Sequence, residues 1–134
     1  MTQLPHFDST RPTVLLVDDD EDTLEETSGY LAQEGFRVMK QSSPFGVTNL
    51  VRRHRPDVVV LDVMMPGLDG GGLGSLIRGE ADVPIIFFSA TQEEYLRDLV
   101  MRTERAMYVL KSEGFSFLAD EIRKAVRKGA RESR

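Results

Sequence analysis

Five short apolar runs alternate with helical segments along this chain of 134 residues. The runs span residues 13–17, 36–40, 57–63, 83–89 and 107–110. Neighbouring parallel strands need a crossover connection between them, and a helix is the usual one. The alternation therefore predicts a three-layer α/β/α fold, in which helices cover both faces of a five-stranded parallel sheet.

The segments between the runs carry helical signals of different strength. Ser43-Pro44 predicts the cap and first residue of the second helix, whose buried face is marked by Val47 and Val51. The segment Gly67 to Gly79 is rich in glycine, which costs roughly 0.5 to 1 kcal/mol relative to alanine inside a helix. We therefore expect the third helix to be short, late-starting or mobile.

Composition restricts the class of protein. Apolar residues make up 40% and charged residues 29% of the chain, which is typical of one soluble domain. No apolar run approaches the roughly 20 residues of a membrane helix, and Met1 to Pro12 has no signal-peptide pattern, so we expect a cytoplasmic protein without membrane insertion. The absence of cysteine excludes disulfides and thiolate chemistry. A net charge of -5 argues against direct contact with nucleic acid.

Polar residues stand at the ends of four of the predicted strands. They are Asp18 and Asp19 after the first strand, Asp62 in the third, Ser89 in the fourth and Lys111 after the fifth. The carboxyl ends of parallel strands share one edge of the sheet, so these side chains should meet there. Carboxylates that meet repel one another unless a cation neutralises them, and Mg²⁺ prefers such oxygen ligands. A lysine and a hydroxyl beside that ion would form a site for a phosphoryl group.

Other polar groups fit structural roles better. The remaining acidic residues between 20 and 26 suit the positive end of a helix dipole. His6 and His54 lack the spacing of metal ligands. The run Gly70 to Gly74 does not match a dinucleotide fingerprint, because the third glycine would fall on Ser75.

Four motifs occur in order along the chain: VDD ending at Asp19, LDVMMPG around Asp62, SA at Ser89, and YVLK ending at Lys111. Together they resemble the receiver domains of two-component response regulators, the chemotaxis-regulator-like family. The resemblance covers about residues 13–128, between an extension at 1–12 and a tail at 129–134. It implies a doubly wound, flavodoxin-like sheet with strand order 2-1-3-4-5.

The resemblance also implies the chemistry of the site. Asp62 matches the aspartate that accepts a phosphoryl group from a sensor histidine kinase or a phosphotransfer protein. Asp18, Asp19, Asp62 and the backbone carbonyl of Met64 match the ligands of Mg²⁺, for which Mn²⁺ is expected to substitute. Lys111 matches the lysine that pairs with the acceptor and the phosphoryl group. Such a domain promotes its own phosphorylation and dephosphorylation and is not otherwise an enzyme.

Further roles concern the readout of phosphorylation. Ser89 matches the switch hydroxyl and Tyr108 the switch aromatic, although one aromatic in a strand is also ordinary packing. Met64 and Thr91, each two positions after a site residue, are expected to flank the attacking water and set the phosphate lifetime. The surface formed by the fourth helix, fifth strand and fifth helix would then bind a downstream protein that the sequence does not identify.

Two other classes of function are weighed against this one. A receiver-fold adaptor that works without phosphorylation would not need the intact set of site residues. A flavin- or nucleotide-binding domain would need a phosphate-cradling loop after the first strand, where this chain has VDDD. The short stretch Lys128 to Arg134 after the last helix predicts a stand-alone receiver.

Two features depart from the family pattern. Ser112 follows Lys111 where the family commonly has a proline joined by a cis bond, and cis bonds to other residues cost roughly 2.5 to 4 kcal/mol. Charged residues between Arg102 and Met107 replace the usual Gly-Ala pair before the fifth strand. We therefore expect a phosphorylatable domain with an unusual interface or a mobile fourth helix.

Overall fold

The computed structural model describes residues 11–65 and 70–132. Strands and helices alternate throughout this part of the chain. The strands are β1 Thr13–Val17, β2 Arg37–Gln41, β3 Val58–Leu61, β4 Ile85–Ser89 and β5 Ala106–Leu110. The helices are α1 Glu21–Gln33, α2 Val47–His54, α3 Gly70–Glu80, α4 Glu93–Arg102 and α5 Phe115–Glu132, and a 3-10 turn spans Lys111–Glu113.

The strands form one parallel sheet in the order β2-β1-β3-β4-β5. This confirms the predicted fold class and strand order. Because every strand runs the same way, all five carboxyl ends lie along one edge of the sheet, which we call the carboxyl edge. The opposite side is the amino edge. The strands thus bring polar residues from distant parts of the chain to the carboxyl edge.

The core consists of two apolar clusters, one on each face of the sheet. Alternate strand residues pack against α2, α3 and α4 on one face, where Leu96 and Ile77 are fully buried. The other strand residues pack against α1 and α5 around Leu31 and Ile122. The central strands are therefore apolar on both faces, as expected for a covered parallel sheet. None of the helices in residues 11–65 and 70–132 is long and apolar enough to cross a membrane.

The predicted start of the second helix is wrong. Helix α2 begins at Val47, and Gly46 before it has φ 87°, in the left-handed region. Ser43 does not cap the helix, because its Oγ accepts a hydrogen bond from the amide of Phe45 at 3.1 Å. The carbonyl of Pro44 accepts from the amide of Val47 at 3.3 Å. Ser43 and Pro44 thus form turns before the helix.

The third helix is not short. Helix α3 spans 11 residues, beginning at Gly70 beside the part of the chain that is not described. Leu73 and Ile77 on this helix are 3% and 0% exposed in the core. Burying side chains of this size contributes about 1.5 to 3 kcal/mol each, which offsets the cost of the glycines.

Two arginines join the loops at the amino edge. The Arg78 guanidinium donates to the carbonyls of Val83 at 2.7 Å and Glu104 at 2.6 Å, so it connects the loop before β4 to the loop before β5. Arg105 donates to the carboxylate of Asp82 at 2.9 Å. Its φ of 52° lies in the left-handed region, where the chain turns into β5. The loop before β5 is therefore held by the bond from Arg78 to the Glu104 carbonyl and by the ion pair of Arg105 with Asp82.

We expect Arg78→Met to lower the free energy of unfolding by about 1.5 to 3 kcal/mol, the range for hydrogen bonds made by a charged group. The reason is that the carbonyls of Val83 and Glu104 lose their donor. Urea denaturation measures the change. The control Arg102→Met removes an arginine whose side chain is 62% exposed and should cost at most about 0.5 kcal/mol. Equal midpoints for the two variants would contradict the connecting role of Arg78.

Candidate functional site

The turn after β1 separates two adjacent carboxylates. Asp18 is 4% exposed, and its Oδ1 accepts a hydrogen bond from the amide of Asp20 at 3.0 Å. Asp20 in turn caps α1, because its side chain accepts from the amides of Asp22 and Thr23. This tight turn into the helix leaves Asp19 exposed at the carboxyl edge. The chain thus presents one buried and one open carboxylate.

Asp62 follows β3 at the same edge and is 6% exposed. Its amide donates to the carbonyl of Val17 at 3.0 Å, which extends the pairing of β1 and β3 by one residue. Its Oδ1 accepts two hydrogen bonds, from the amide of Met64 and from the hydroxyl of Ser89, both at 2.9 Å. One oxygen of this carboxylate is therefore fixed by neutral donors.

Lys111 begins the turn after β5 and bridges the two buried carboxylates. Its Nζ lies 2.8 Å from Oδ2 of Asp18 and 2.8 Å from Oδ2 of Asp62. The lysine side chain is 22% exposed, whereas the aspartate side chains are 6% and 7% exposed. These ion pairs join the ends of β1, β3 and β5. The fold therefore brings these three residues together, as the positions of the strand ends predict.

Burial and charge shift the ionisation of this group. Burial raises the pKa of Asp18 above its usual value, and the hydrogen bond from Lys111 only partly opposes that rise. For Lys111, burial acts to lower the pKa, but the hydrogen bonds to Asp18 and Asp62 outweigh it and the pKa is raised. Lys111 therefore stays charged at neutral pH. Its charge compensates for only one of the two buried carboxylates.

Asp18, Asp19 and Asp62 fit a divalent cation. One carboxylate oxygen from each of them lies within 4.8 Å of the others. With one lysine beside three carboxylates, the group keeps an excess of negative charge on oxygen donors, which a hard divalent cation prefers. Met64 lies beside them through its amide, and its side chain is 58% exposed. The residue types and their placement therefore suit Mg²⁺ or Mn²⁺.

Ser89 and Thr91 lie next to this carboxylate group. Ser89 is fully buried, and its hydroxyl donates to Asp62. The amide of Thr91 lies 3.4 Å from the Ser89 hydroxyl oxygen, so the loop after β4 is in direct contact with the site. A change in the position of the Ser89 hydroxyl would therefore alter its contact with the Thr91 amide, which lies in the loop leading into α4.

Tyr108 lies away from these carboxylates and bonds to α4 instead. Its hydroxyl donates to the carboxylate of Glu93, and Nε of Arg97 lies 3.4 Å from the hydroxyl oxygen. Arg97 also pairs with Glu93 at 3.4 Å. Neither Glu93 nor Arg97 was predicted from the sequence to take part in this contact. Their spacing of four residues on a helix was a signal for a mutual ion pair, but not for a shared tyrosine.

The turn at Lys111 and Ser112 contains no cis bond, as is true of every peptide bond in the described residues. An open cleft of about 550 Å³ lies at the amino edge, lined in part by Arg55, Asp82 and Arg105. Its lining includes none of Asp18, Asp19, Asp62, Ser89 and Lys111, which lie at the opposite edge of the sheet.

Comparison with known proteins agrees with this geometry. The family model described as "Response regulator receiver domain" matches residues 14–126. The transcriptional regulatory protein AfsQ1 of Streptomyces coelicolor is 36% identical over 124 residues, which cover 91% of this chain and 54% of AfsQ1. CseB of the same organism is 39% identical and covers 86% of this chain and 49% of its own length. This chain thus spans about half the length of these curated relatives.

The DNA-binding response regulator MtrA of Mycolicibacterium smegmatis is 33% identical over 107 residues, covering 78% of this chain and 46% of MtrA. Because this relative is named as DNA-binding, the comparison does not support the prediction that the protein makes no direct contact with nucleic acid. Among solved structures, the receiver domain of Francisella response regulator 1452 has a TM-score of 0.78 at 23% identity, covering 89% of this chain and 99% of that one. This likeness shows the shared fold.

The family match extends over most of the chain and includes every polar residue of the carboxyl edge described above. The order of strands, the placement of the carboxylates and the lysine between them are all accounted for by one family. The chain belongs to the response regulator receiver domains of two-component signalling.

Proposed function

We propose that this receiver accepts a phosphoryl group on Asp62 from a phosphohistidine of a sensor histidine kinase or phosphotransfer protein in the cytoplasm. The observation that carries the proposal is the placement of Lys111 between two buried carboxylates at 2.8 Å. Phosphoryl transfer needs alignment and charge neutralisation more than covalent chemistry. A lysine ammonium at this position neutralises charge where the phosphoryl oxygens would arrive.

In the proposed transfer, an oxygen of Asp62 attacks phosphorus while the bond from phosphorus to the histidine nitrogen breaks. The electron pair of that bond stays on the imidazole, and an acyl phosphate forms on Asp62. Asp18, Asp19, Asp62 and the backbone carbonyl of Met64 would hold Mg²⁺ or Mn²⁺. When bound, such a cation supplies neutralisation of charge on the phosphoryl oxygens. Lys111 exchanges its contact with Asp62 for one with the new phosphoryl group.

Hydrolysis would return the domain to its starting state. Water attacks phosphorus, the phosphorus–oxygen bond to Asp62 breaks, and inorganic phosphate leaves. We expect Met64 and Thr91 to influence this step, because their amides lie beside Asp62 and Ser89 respectively. Larger side chains at these two positions would restrict the approach of water. The lifetime of the signal would then depend on two side chains that do not themselves bind the phosphoryl group.

The readout we propose passes through Ser89. Phosphorylation adds close to two negative charges at pH 7, which attract a hydroxyl donor. The Ser89 hydroxyl now donates to Asp62 and would turn to the phosphoryl oxygens, carrying the loop at Thr91 with it. That loop leads into α4, where Tyr108 bonds to Glu93. The surface formed by α4, β5 and α5 would change its conformation and bind a downstream protein.

Incubation with acetyl phosphate and Mg²⁺ tests the proposal. We expect the intact mass to rise by about 80 Da, one phosphoryl group on the acceptor carboxylate, and to return to its starting value as the acyl phosphate hydrolyses. Asp62→Asn should show no adduct, and chelation of Mg²⁺ should abolish it in the wild type. The absence of an adduct in the wild type would favour the phosphorylation-independent adaptor.

The charge balance of the site gives a second prediction. Lys111→Met should lower the free energy of unfolding by about 3 kcal/mol without Mg²⁺, the low end of the range for breaking a buried ion pair. Added Mg²⁺ should reduce the deficit, because it replaces the missing positive charge beside Asp18 and Asp62. Urea denaturation with and without Mg²⁺ measures both effects. Lys40→Met removes an exposed pair with Glu25 and serves as the control, with a cost of at most about 1 kcal/mol in either condition.

The third prediction concerns α4. Tyr108→Phe removes the hydroxyl that bonds to Glu93 and Arg97, so amide hydrogen exchange should become faster in the first turns of α4. Exchange followed by mass spectrometry measures it. Tyr95→Phe changes an exposed tyrosine on the same helix and should leave exchange as in the wild type. Equal exchange in wild type and Tyr108→Phe would show that the tyrosine does not hold α4.

A further inference from the structure

The turn that carries Lys111 is held by an acidic side chain. Residues Lys111–Glu113 form a 3-10 turn, and Oε1 of Glu113 accepts a hydrogen bond from the amide of Leu110 at 2.9 Å. The turn closes when the amide of Gly114 donates to the carbonyl of Lys111 at 3.2 Å. Gly114 has φ 91°, which strongly favours glycine. Lys111 is thus enclosed between two hydrogen bonds of one short turn.

These two bonds restrict the position of the Lys111 backbone. Leu110 is the last residue of β5 and pairs in register with Ser89 of β4, so its own position is fixed by the sheet. The Glu113 carboxylate fastens the far end of the turn to this fixed amide. Lys111 lies between the two anchors, where its backbone has little freedom to shift.

The side chain of Lys111 needs this restriction. Its Nζ makes contacts of 2.8 Å with both Asp18 and Asp62, which belong to different strands. A long lysine side chain loses up to about 2 kcal/mol of rotamer freedom in one fixed geometry. If the Lys111 backbone is held in position, fewer conformations of the side chain place the ammonium out of reach of Asp18 or Asp62.

The chemical type of residue 113 also calls for an explanation. Glu113 is exposed and follows an edge that already carries three clustered carboxylates. A further negative charge near that edge is unfavourable by simple repulsion, unless the carboxylate has a specific task. Its hydrogen bond to the Leu110 amide is such a task.

We propose that Glu113 is a positioning residue for Lys111, whose carboxylate fastens the turn and so holds the ammonium between Asp18 and Asp62. The consequence for phosphorylation rests on the proposed function, whereas the consequence for Lys111 itself does not. Displacement of a reacting group by about 1 Å can cost up to a hundredfold in rate. Loosening of an exposed turn is a smaller change, so we expect about a tenfold loss in the variant that lacks the acceptor.

The test compares Glu113→Ala, Glu113→Gln and the control Ser112→Ala. Nuclear magnetic resonance reports exchange of the Leu110 amide and the signal of the Lys111 ammonium, and intact mass reports phosphorylation by acetyl phosphate with Mg²⁺. Glu113→Ala should speed exchange at Leu110, shift or broaden the Lys111 signal, and slow phosphorylation about tenfold. Glu113→Gln keeps an oxygen acceptor and should stay within about twofold of the wild type, since a neutral acceptor bonds more weakly than a carboxylate. Ser112→Ala should match the wild type.

Each outcome decides the proposal. If the Lys111 signal and the rate are unchanged in Glu113→Ala, Glu113 does not position the lysine. If Glu113→Gln is as slow as Glu113→Ala while its Lys111 signal stays as in the wild type, the negative charge matters and not the hydrogen bond, which also overturns it. If the wild type shows no adduct, the proposed function fails, and the Lys111 signal alone then decides whether Glu113 holds the turn.

Discussion

The buried ion pairs of Lys111 with Asp18 and Asp62 are the interaction on which the rest of the carboxyl edge depends. Two carboxylates that are 6% and 7% exposed would repel each other strongly if nothing lay between them. The lysine makes their proximity possible, and the parallel sheet brings the three positions together although Asp18 and Lys111 are 93 residues apart in sequence. The order of the strands therefore determines both the fold and which charged residues meet at the site.

One lysine neutralises only part of the negative charge of the three carboxylates. The remaining negative charge on Asp18, Asp19 and Asp62 would favour a bound cation, and burial, which raises the pKa of Asp18, disfavours the ionised form of this carboxyl. A site that was fully neutral by itself would have little reason to bind a metal ion. Without Lys111, repulsion between the buried carboxylates would lower the stability of the fold. The observed set lies between these two limits.

The sequence predicted the sheet and the meeting of site residues well, for a physical reason. Both follow from backbone direction and strand pairing, since Asp18, Asp62 and Lys111 each come directly after a strand. It failed where side chains decide the local structure. Ser43 could cap a helix by type but instead bonds to Phe45, and Leu73 in the core outweighs the glycines of α3. The bond between Tyr108 and Glu93 depends on how α4 packs against β5, which no local pattern encodes.

The two ends of α4 are held by different kinds of contact. At its end near the amino edge, Arg78 bonds to the backbone carbonyl of Glu104, which follows the helix, and Thr103 bonds back to the carbonyl of Leu99 at 2.7 Å. At its start, Gln92 makes no capping bond with its side chain, and the helix is tied to β5 through the Tyr108 hydroxyl. At the first of these ends, side chains bond to fixed backbone carbonyls, whereas at the start both partners of the Tyr108–Glu93 bond are side chains that can rotate. In the proposed readout, a change that begins at Ser89 would therefore reach α4 at its start, where the Tyr108–Glu93 bond can break without loss of the contacts at the other end of the helix.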